Sequence, residues 1–140
     1  IDFTSNYTQP DPSSYVAASE GADLSGGIIA AQSNTIQAAY IAGTGATLVE
    51  FATPEETISA VRHGEADAVL ADTSYLNPIV AEDSGLMFAG DKVLIGGGVG
   101  MGIRKSDADL RDKFTAAINS MKADGTLNAL IVKHEIGETF

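Results

Sequence analysis

The chain has no cysteine and only eight basic residues against nineteen acidic ones. Without cysteine there can be no disulfide, thiolate zinc site, iron–sulfur cluster or thiol nucleophile. A net charge of -11 repels phosphate backbones and anionic lipid, so nucleic acid and membrane surfaces are poor partners. No apolar run approaches the roughly 18 residues that would cross a bilayer. The chain opens on Ile1-Asp2-Phe3, which has neither the charged nor the apolar region of a secretory leader. That opening reads like the middle of a strand, and the expectation is that something once preceded it.

At 140 residues and 44% hydrophobic, the sequence suffices for one ordinary domain with a core, or for a piece of something larger. Ile1–Tyr7 alternates weakly, as a strand end does. Thr8–Ser14, with Pro10 and Pro12, reads as a crossing segment. Tyr15–Ala18 is a short strand, and Asp23–Gly27 is a turn before the apolar run Ile28–Ala31. The polar tetrad Gln32-Ser33-Asn34-Thr35 then leads into a helix over Ile36–Ala42. Ala46–Phe51 is the next strand. Thr53-Pro54-Glu55-Glu56 starts the following helix with a capping threonine, a proline at the first helical position and a glutamate that closes a capping box.

Gly64 ends that helix, Asp67–Ala71 is a strand, and Ser74–Glu82 is a helix that Pro78 should bend or shorten. Leu86–Ala89 is a further strand. Strand and helix alternate over Ile28–Ala89, which predicts an α/β fold with a mostly parallel sheet. Beyond Asp91 a glycine-rich stretch, Gly96–Gly102, predicts close backbone approach by another strand or a hinge. A helix capped by Ser106 follows, with an apolar stripe at Leu110, Phe114, Ala117, Ile118 and Met121, and a last helix covers Leu127–Lys133.

Few residues suggest chemistry. His63 and His134 fall at the ends of different helices with no ligand spacing around them, so no metal site is expected. There is no G-x-S-x-G elbow, and the glycine run fits neither a dinucleotide nor a P-loop fingerprint. Asp72 is more telling. It ends an apolar run, where the carboxyl edge of an open sheet meets its loops and ligands bind. On local sequence alone the favoured reading is a helix cap. The helix start at Gln32–Thr35 offers unpaired backbone N–H groups to an anion, and Asn34 or Thr35 caps that helix on the plainer reading. An anion-seeking helix start beside an acid on the same sheet edge describes a site for an amino acid zwitterion.

Five stretches in order carry a resemblance: I-D-F-T at Ile1, Q-S-N-T at Gln32, G-E-A-D-A-V-L-A-D at Gly64, G-V-G-M-G-I-R-K at Gly98 and M-K-A-D-G-T-L at Met121. With them the chain resembles the type 2 periplasmic solute-binding proteins of polar amino acid ABC transporters, and in its C-terminal stretches their basic amino acid and opine branch. The resemblance implies a two-lobed α/β fold. The second lobe would occupy residues 11–97, with residues 1–10 and 98–140 as remnants of the first lobe and its crossing strands. Asp72 would take the ligand's α-ammonium, and Ser33–Ile36 would help to hold its α-carboxylate. Gln32, Ser33, Asn34, Thr35, Ile36, Asp72 and Tyr75 form the implied ligand site, with an amino acid or opine as ligand and no catalytic residue, metal or cofactor.

An ABC permease is the implied partner and the periplasm the implied location. The family's N-terminal segment, which supplies most of the first lobe, its aromatic cap and its carboxylate-binding arginine, has no counterpart in these residues. Ser33 replaces the family's usual glycine. With that sheet missing, the stripe of the Leu110 helix is expected to drive self-association or pairing with the missing segment. Two alternatives share the fold: a cyclohexadienyl dehydratase-like enzyme and a LysR-type effector domain. The first needs a second acid near Asp72, for which Glu50 and Glu82 are the candidates. The second needs a DNA-binding segment upstream.

Overall fold

A computed structural model describes all residues 1–140, and the chain divides into two compact units. The larger is Pro12–Gly96, and the smaller combines Ile1–Asp11 with Gly97–Phe140. The smaller unit contributes β1 (Asp2–Phe3) from its first segment. The larger unit then runs β2 (Ser13–Ala17), β3 (Ile28–Gln32), α1 (Ile36–Ala42), β4 (Thr47–Phe51), α2 (Pro54–Arg62), β5 (Ala68–Asp72), α3 (Thr73–Glu82) and β6 (Met87–Val93).

These strands make one five-stranded sheet in the order β4-β3-β5-β2-β6. As the alternation of elements predicts, β3 is parallel to both β4 and β5. The prediction of a mostly parallel sheet needs correcting at β2, which lies between β5 and β6 and runs antiparallel to both. Since β6 opposes β2 and β2 opposes β5, β5 and β6 still point the same way. The helical crossover through α3 fixes that shared direction, but nothing in the alternation of elements reveals a strand inserted from upstream.

Side chains alternate across the sheet with period two. Val16, Ala30 and Val69 join Ile58, Val61 and Leu76, so α2 and α3 cover one face. Tyr15, Ala17, Ile29, Ala31, Ala68 and Leu70 join Ala38 and Ile41, so α1 covers the other. Burial on both faces explains why β3 and β5 read as continuous apolar runs. β6 bulges between its pairings with Ser13 and Tyr15, and Gly90 there has φ +62. A Cβ at Gly90 would meet only the movable end of Leu24, at 2.7 Å from Cδ1, so it is the left-handed φ that favours glycine there.

Helix starts are set by local chemistry. Thr53 N donates to Glu56 Oε2 at 3.0 Å and Glu56 N to Thr53 Oγ1 at 3.3 Å, which completes the predicted capping box of α2. Pro78 lies inside α3 without ending it. The sheet's geometry gathers the carboxyl ends of β3, β4 and β5 with the starts of α1, α2 and α3 along one edge.

In the smaller unit β1 pairs antiparallel with β7 (Gly102–Ile103), and α4 (Ala108–Ala123) precedes α5 (Thr126–Lys133). The glycine run is approached closely, as expected. Thr4 N donates to Met101 O and Tyr7 N to Val99 O, and a Cβ at Gly100 would lie 2.9 Å from Thr4 O. Ser106 does not cap α4. A 3₁₀ turn over Lys105–Asp107 intervenes, and Asp107 precedes α4 without a side-chain cap, its carboxylate drawn instead to Arg104 Nε at 2.8 Å. The core here is Ile118, Leu127 and Ile131, with Tyr7, Met101 and Met121 against them. Leu110 and Phe114, which the stripe places on the same face, remain 45% and 39% exposed. No helix is long and apolar enough to cross a membrane.

Candidate functional site

The starts of α1, α2 and α3 and the ends of β3 and β5, on one edge of the larger unit, line an open cavity of about 240 Å³. Of the residues singled out from sequence, Gln32, Thr35, Asp72 and Tyr75 line it. Ser33, Asn34 and Ile36 do not. Ser33 N donates to Phe51 O at 2.8 Å, which extends the β3–β4 ladder and commits that amide. Asn34 takes the left-handed conformation at φ 61, turning the chain from strand to helix, and Ile36 is 51% exposed.

Thr35 is the cap of α1: its hydroxyl accepts from Ala38 N at 3.2 Å and donates to Gln32 O at 2.7 Å. Those bonds leave the first two helical amides, Ile36 and Gln37, without an intrahelical acceptor. Gln32 Nε2 donates to Ala52 O at 3.2 Å, which ties the end of β3 to the segment after β4.

Asp72 is the last residue of β5 and stands at the cap position of α3, yet its side chain makes no capping hydrogen bond. Thr73 N, the first amide of α3, donates to Pro12 O at 2.9 Å, and the Thr73 hydroxyl sits 2.6 Å from Ser14 Oγ, so β2 and the residue before it anchor the helix start. Gln37 Nε2 donates to Asp72 Oδ1 at 2.7 Å and also to Ser13 Oγ at 3.0 Å.

Tyr75, one turn into α3, closes the side of the cavity. Burial raises its phenol above the ordinary tyrosine range; nearby Glu55 adds to the rise and Arg62 opposes it. Asp72 and Tyr75 are the titratable groups on the lining, and no basic side chain lines it. Glu50 and Glu82, the acids a dehydratase-like mechanism would recruit, are exposed and lie outside it. His63 and His134 sit at the C-terminal ends of α2 and α5, as the sequence suggests, and His63 Nδ1 is 3.2 Å from Ser59 Oγ.

Sequence reasoning passed over Gln37, Thr57, Pro54, Leu70 and Ala71, which complete the lining. Gln37 carried a readable signal: it stands four residues before Ile41 and next to Ala38, a polar group on the apolar face of a short helix. Thr57 gives none, because a threonine in a helix is equally at home on a core face. The arrangement presents one carboxylate, a set of neutral hydrogen-bonding groups and a helix start. It can hold a small molecule that carries a cationic donor close to an anion.

No protein-family model matches the chain. The L-arginine-binding protein of Pseudomonas aeruginosa is 29% identical over 143 residues, covering 89% of this chain and 54% of that protein. The lysine/arginine/ornithine-binding periplasmic protein of Escherichia coli is 31% identical over 99 residues, 64% of this chain and 37% of that protein. Among solved structures, a periplasmic His/Glu/Gln/Arg/opine family-binding protein from Silicibacter pomeroyi in complex with lysine is 72% identical, with a TM-score of 0.84, over 95% of this chain and 61% of that one. An arginine 3rd transport system periplasmic binding protein from Legionella pneumophila shares the fold at a TM-score of 0.75 and 21% identity. The chain therefore spans at most 54% of these two curated relatives and 61% of the Silicibacter protein.

Proposed function

We propose that this chain, which has the type 2 periplasmic-binding-protein fold and whose homologues are amino-acid-binding periplasmic proteins, carries the half-site that recognises the head group of a polar amino acid for an ABC importer. In this reading residues 11–97 are the second lobe, and residues 1–10 and 98–140 belong to the first. Asp72 takes the α-ammonium. The start of α1, from Gln32 through Thr35 to the amide of Ile36, takes the α-carboxylate, while Ser33 and Asn34 shape the turn that presents it. Tyr75 bounds the cavity beside Asp72. Periplasmic residence and delivery to a permease follow from the same reading, with binding rather than turnover as the task.

The observation that carries the proposal is the placement of Asp72: a carboxylate on a cavity wall, making no capping bond to α3 and held by Gln37. A helix start with amides lacking intrahelical partners completes the zwitterion pair. The lysine bound in the 72%-identical relative, and the arginine and ornithine in other relatives' names, support basic amino acids first.

Calorimetric titration with L-lysine and L-arginine tests this. The chain is expected to bind one or both, and Asp72→Asn is expected to lose roughly 100-fold or more in affinity, as befits removal of the charge facing a desolvated ammonium. If neither ligand binds at millimolar concentration, or if Asp72→Asn binds as tightly as the parent, the proposal fails.

A further inference from the structure

We propose that Gln37 is the positioning residue of this site, and that its side-chain amide sets where the Asp72 carboxylate points. The inference rests on the binding role just argued for Asp72. Three elements meet here: Gln37 on α1, Ser13 on β2 and Asp72 at the end of β5. Gln37 is only 6% exposed, and an amide on an apolar helix face is costly to bury unless its hydrogen bonds are made. Leucine in its place would serve packing alone.

The amide nitrogen has two hydrogens, and the geometry uses both, one toward Ser13 Oγ at 3.0 Å and one toward Asp72 Oδ1 at 2.7 Å. A carboxylate only accepts, so the amide orientation is fixed: flipped, its oxygen would oppose the Asp72 oxygen. Ser13, itself 1% exposed, acts as a brace that keeps the amide from following Asp72 into another rotamer. A purely structural glutamine would need the bond to Ser13 alone, which already ties α1 to β2. The second, shorter bond reaches across to the one acid on the cavity wall. The same cavity wall also carries Thr57 and Pro54 from α2 and Tyr75 from α3, of which Tyr75 titrates.

A donor fixed on a carboxylate favours its charged form, so the network has a spectroscopic signature that packing lacks. The experiment is a ¹³C titration of the Asp72 carboxyl in the whole chain without ligand. Gln37→Met is expected to raise the Asp72 midpoint by about one unit, the size of one charge-assisted hydrogen bond. Gln37→Glu is expected to split the titration into two coupled steps, the upper one above the ordinary carboxylate range. Ser13→Ala should raise the midpoint less than Gln37→Met does.

An Asp72 midpoint in folded Gln37→Met equal to the parent's overturns the inference. If that variant does not fold, a single unshifted Asp72 step in Gln37→Glu overturns it. In a second arm, Gln37→Met is expected to weaken L-lysine binding by about tenfold. A shifted midpoint with unchanged L-lysine affinity also overturns the positioning role. A parent chain that binds no L-lysine counts against the proposed function, while the ligand-free titration still decides whether Gln37 holds Asp72.

Discussion

The two units solve the burial problem with very different resources. The larger covers both faces of one sheet, so side chains such as Val16, Ala30 and Ile29 are wholly inaccessible and each is held by neighbours from strands and helices alike. The smaller has a two-residue strand pair and a helical hairpin whose only apolar side chains below a tenth of their exposure are Ile118, Leu127 and Ile131, while Leu110 and Phe114 on the same stripe stay wet. An amphipathic helix buries only as much of its stripe as its partner surface covers. The sequence pattern of α4 thus records more burial than these residues supply. The candidate site is built entirely in the larger unit, where the anchoring is dense.

The sharpest way to test this contrast is to truncate one core residue in each unit. Leu76→Ala should cost about 2–5 kcal/mol and lower the thermal midpoint of the larger unit as a whole. Ile131→Ala removes a side chain of similar size from a far smaller reserve. It should strip exchange protection from the amides of α4 and α5 while those of β3 and β5 keep theirs. Equal loss of protection in both sets would show that the units unfold as one. The next effect is local: Thr53→Ala removes the capping box of α2 and should cost about 1 kcal/mol by chemical denaturation, without exposing the core.

The smallest effect is electrostatic. In the larger unit the Gly85 backbone N–H, then Arg62, hold Asp83 below the usual carboxylate range, and the Gly26 N–H and Ser25 do the same for Asp23. In the smaller unit Thr126 acts likewise on Asp124. A carboxyl whose folded pKa is depressed contributes stability above its unfolded value, and that contribution disappears as the pH falls through the folded one. Asp83→Asn should therefore lower the larger unit's stability slightly at neutral pH and flatten its acid limb, the deficit closing as the pH falls through the folded pKa. Asp23 and Asp124 are exposed and Asp83 is only partly buried, so denaturation curves between about pH 5 and pH 2 should differ only slightly. A deficit that persists undiminished at about pH 2 would mean that Asp83 acts through packing instead.

Much of this architecture can be read from residues alone, because its causes are local. The capping box at Thr53, the stop at Gly64 and the two-sided apolar runs of β3 and β5 depend on neighbours a few positions away. The carboxyl-edge placement of Asp72 follows from the strand–helix order. What escaped depends on distant partners. Local preference made Asp72 a cap, whereas its carboxylate accepts from Gln37, 35 residues away in sequence. Ser106 lost its expected capping role to a turn in which Arg104 claims Asp107. Gln37 announced itself weakly, as one polar residue on an apolar face, and its partners on β2 and β5 could not be named without the fold.

The antiparallel strand β2 also affects how the larger unit assembles. β3, α1, β4, α2 and β5 are neighbours in sequence and can form as a local βαβαβ run, each step closing a short loop. β2 must wait, because its hydrogen-bonding partners β5 and β6 lie more than fifty residues downstream. During synthesis its apolar segment emerges first and stays unpaired longest, and β6 has no neighbour in the sheet until β2 is seated. Closing that interior position is a long-range step, the slow kind, and until it happens α3 lacks its Pro12 anchor and Gln37 lacks the Ser13 brace. The cavity is therefore among the last features to form as the chain folds.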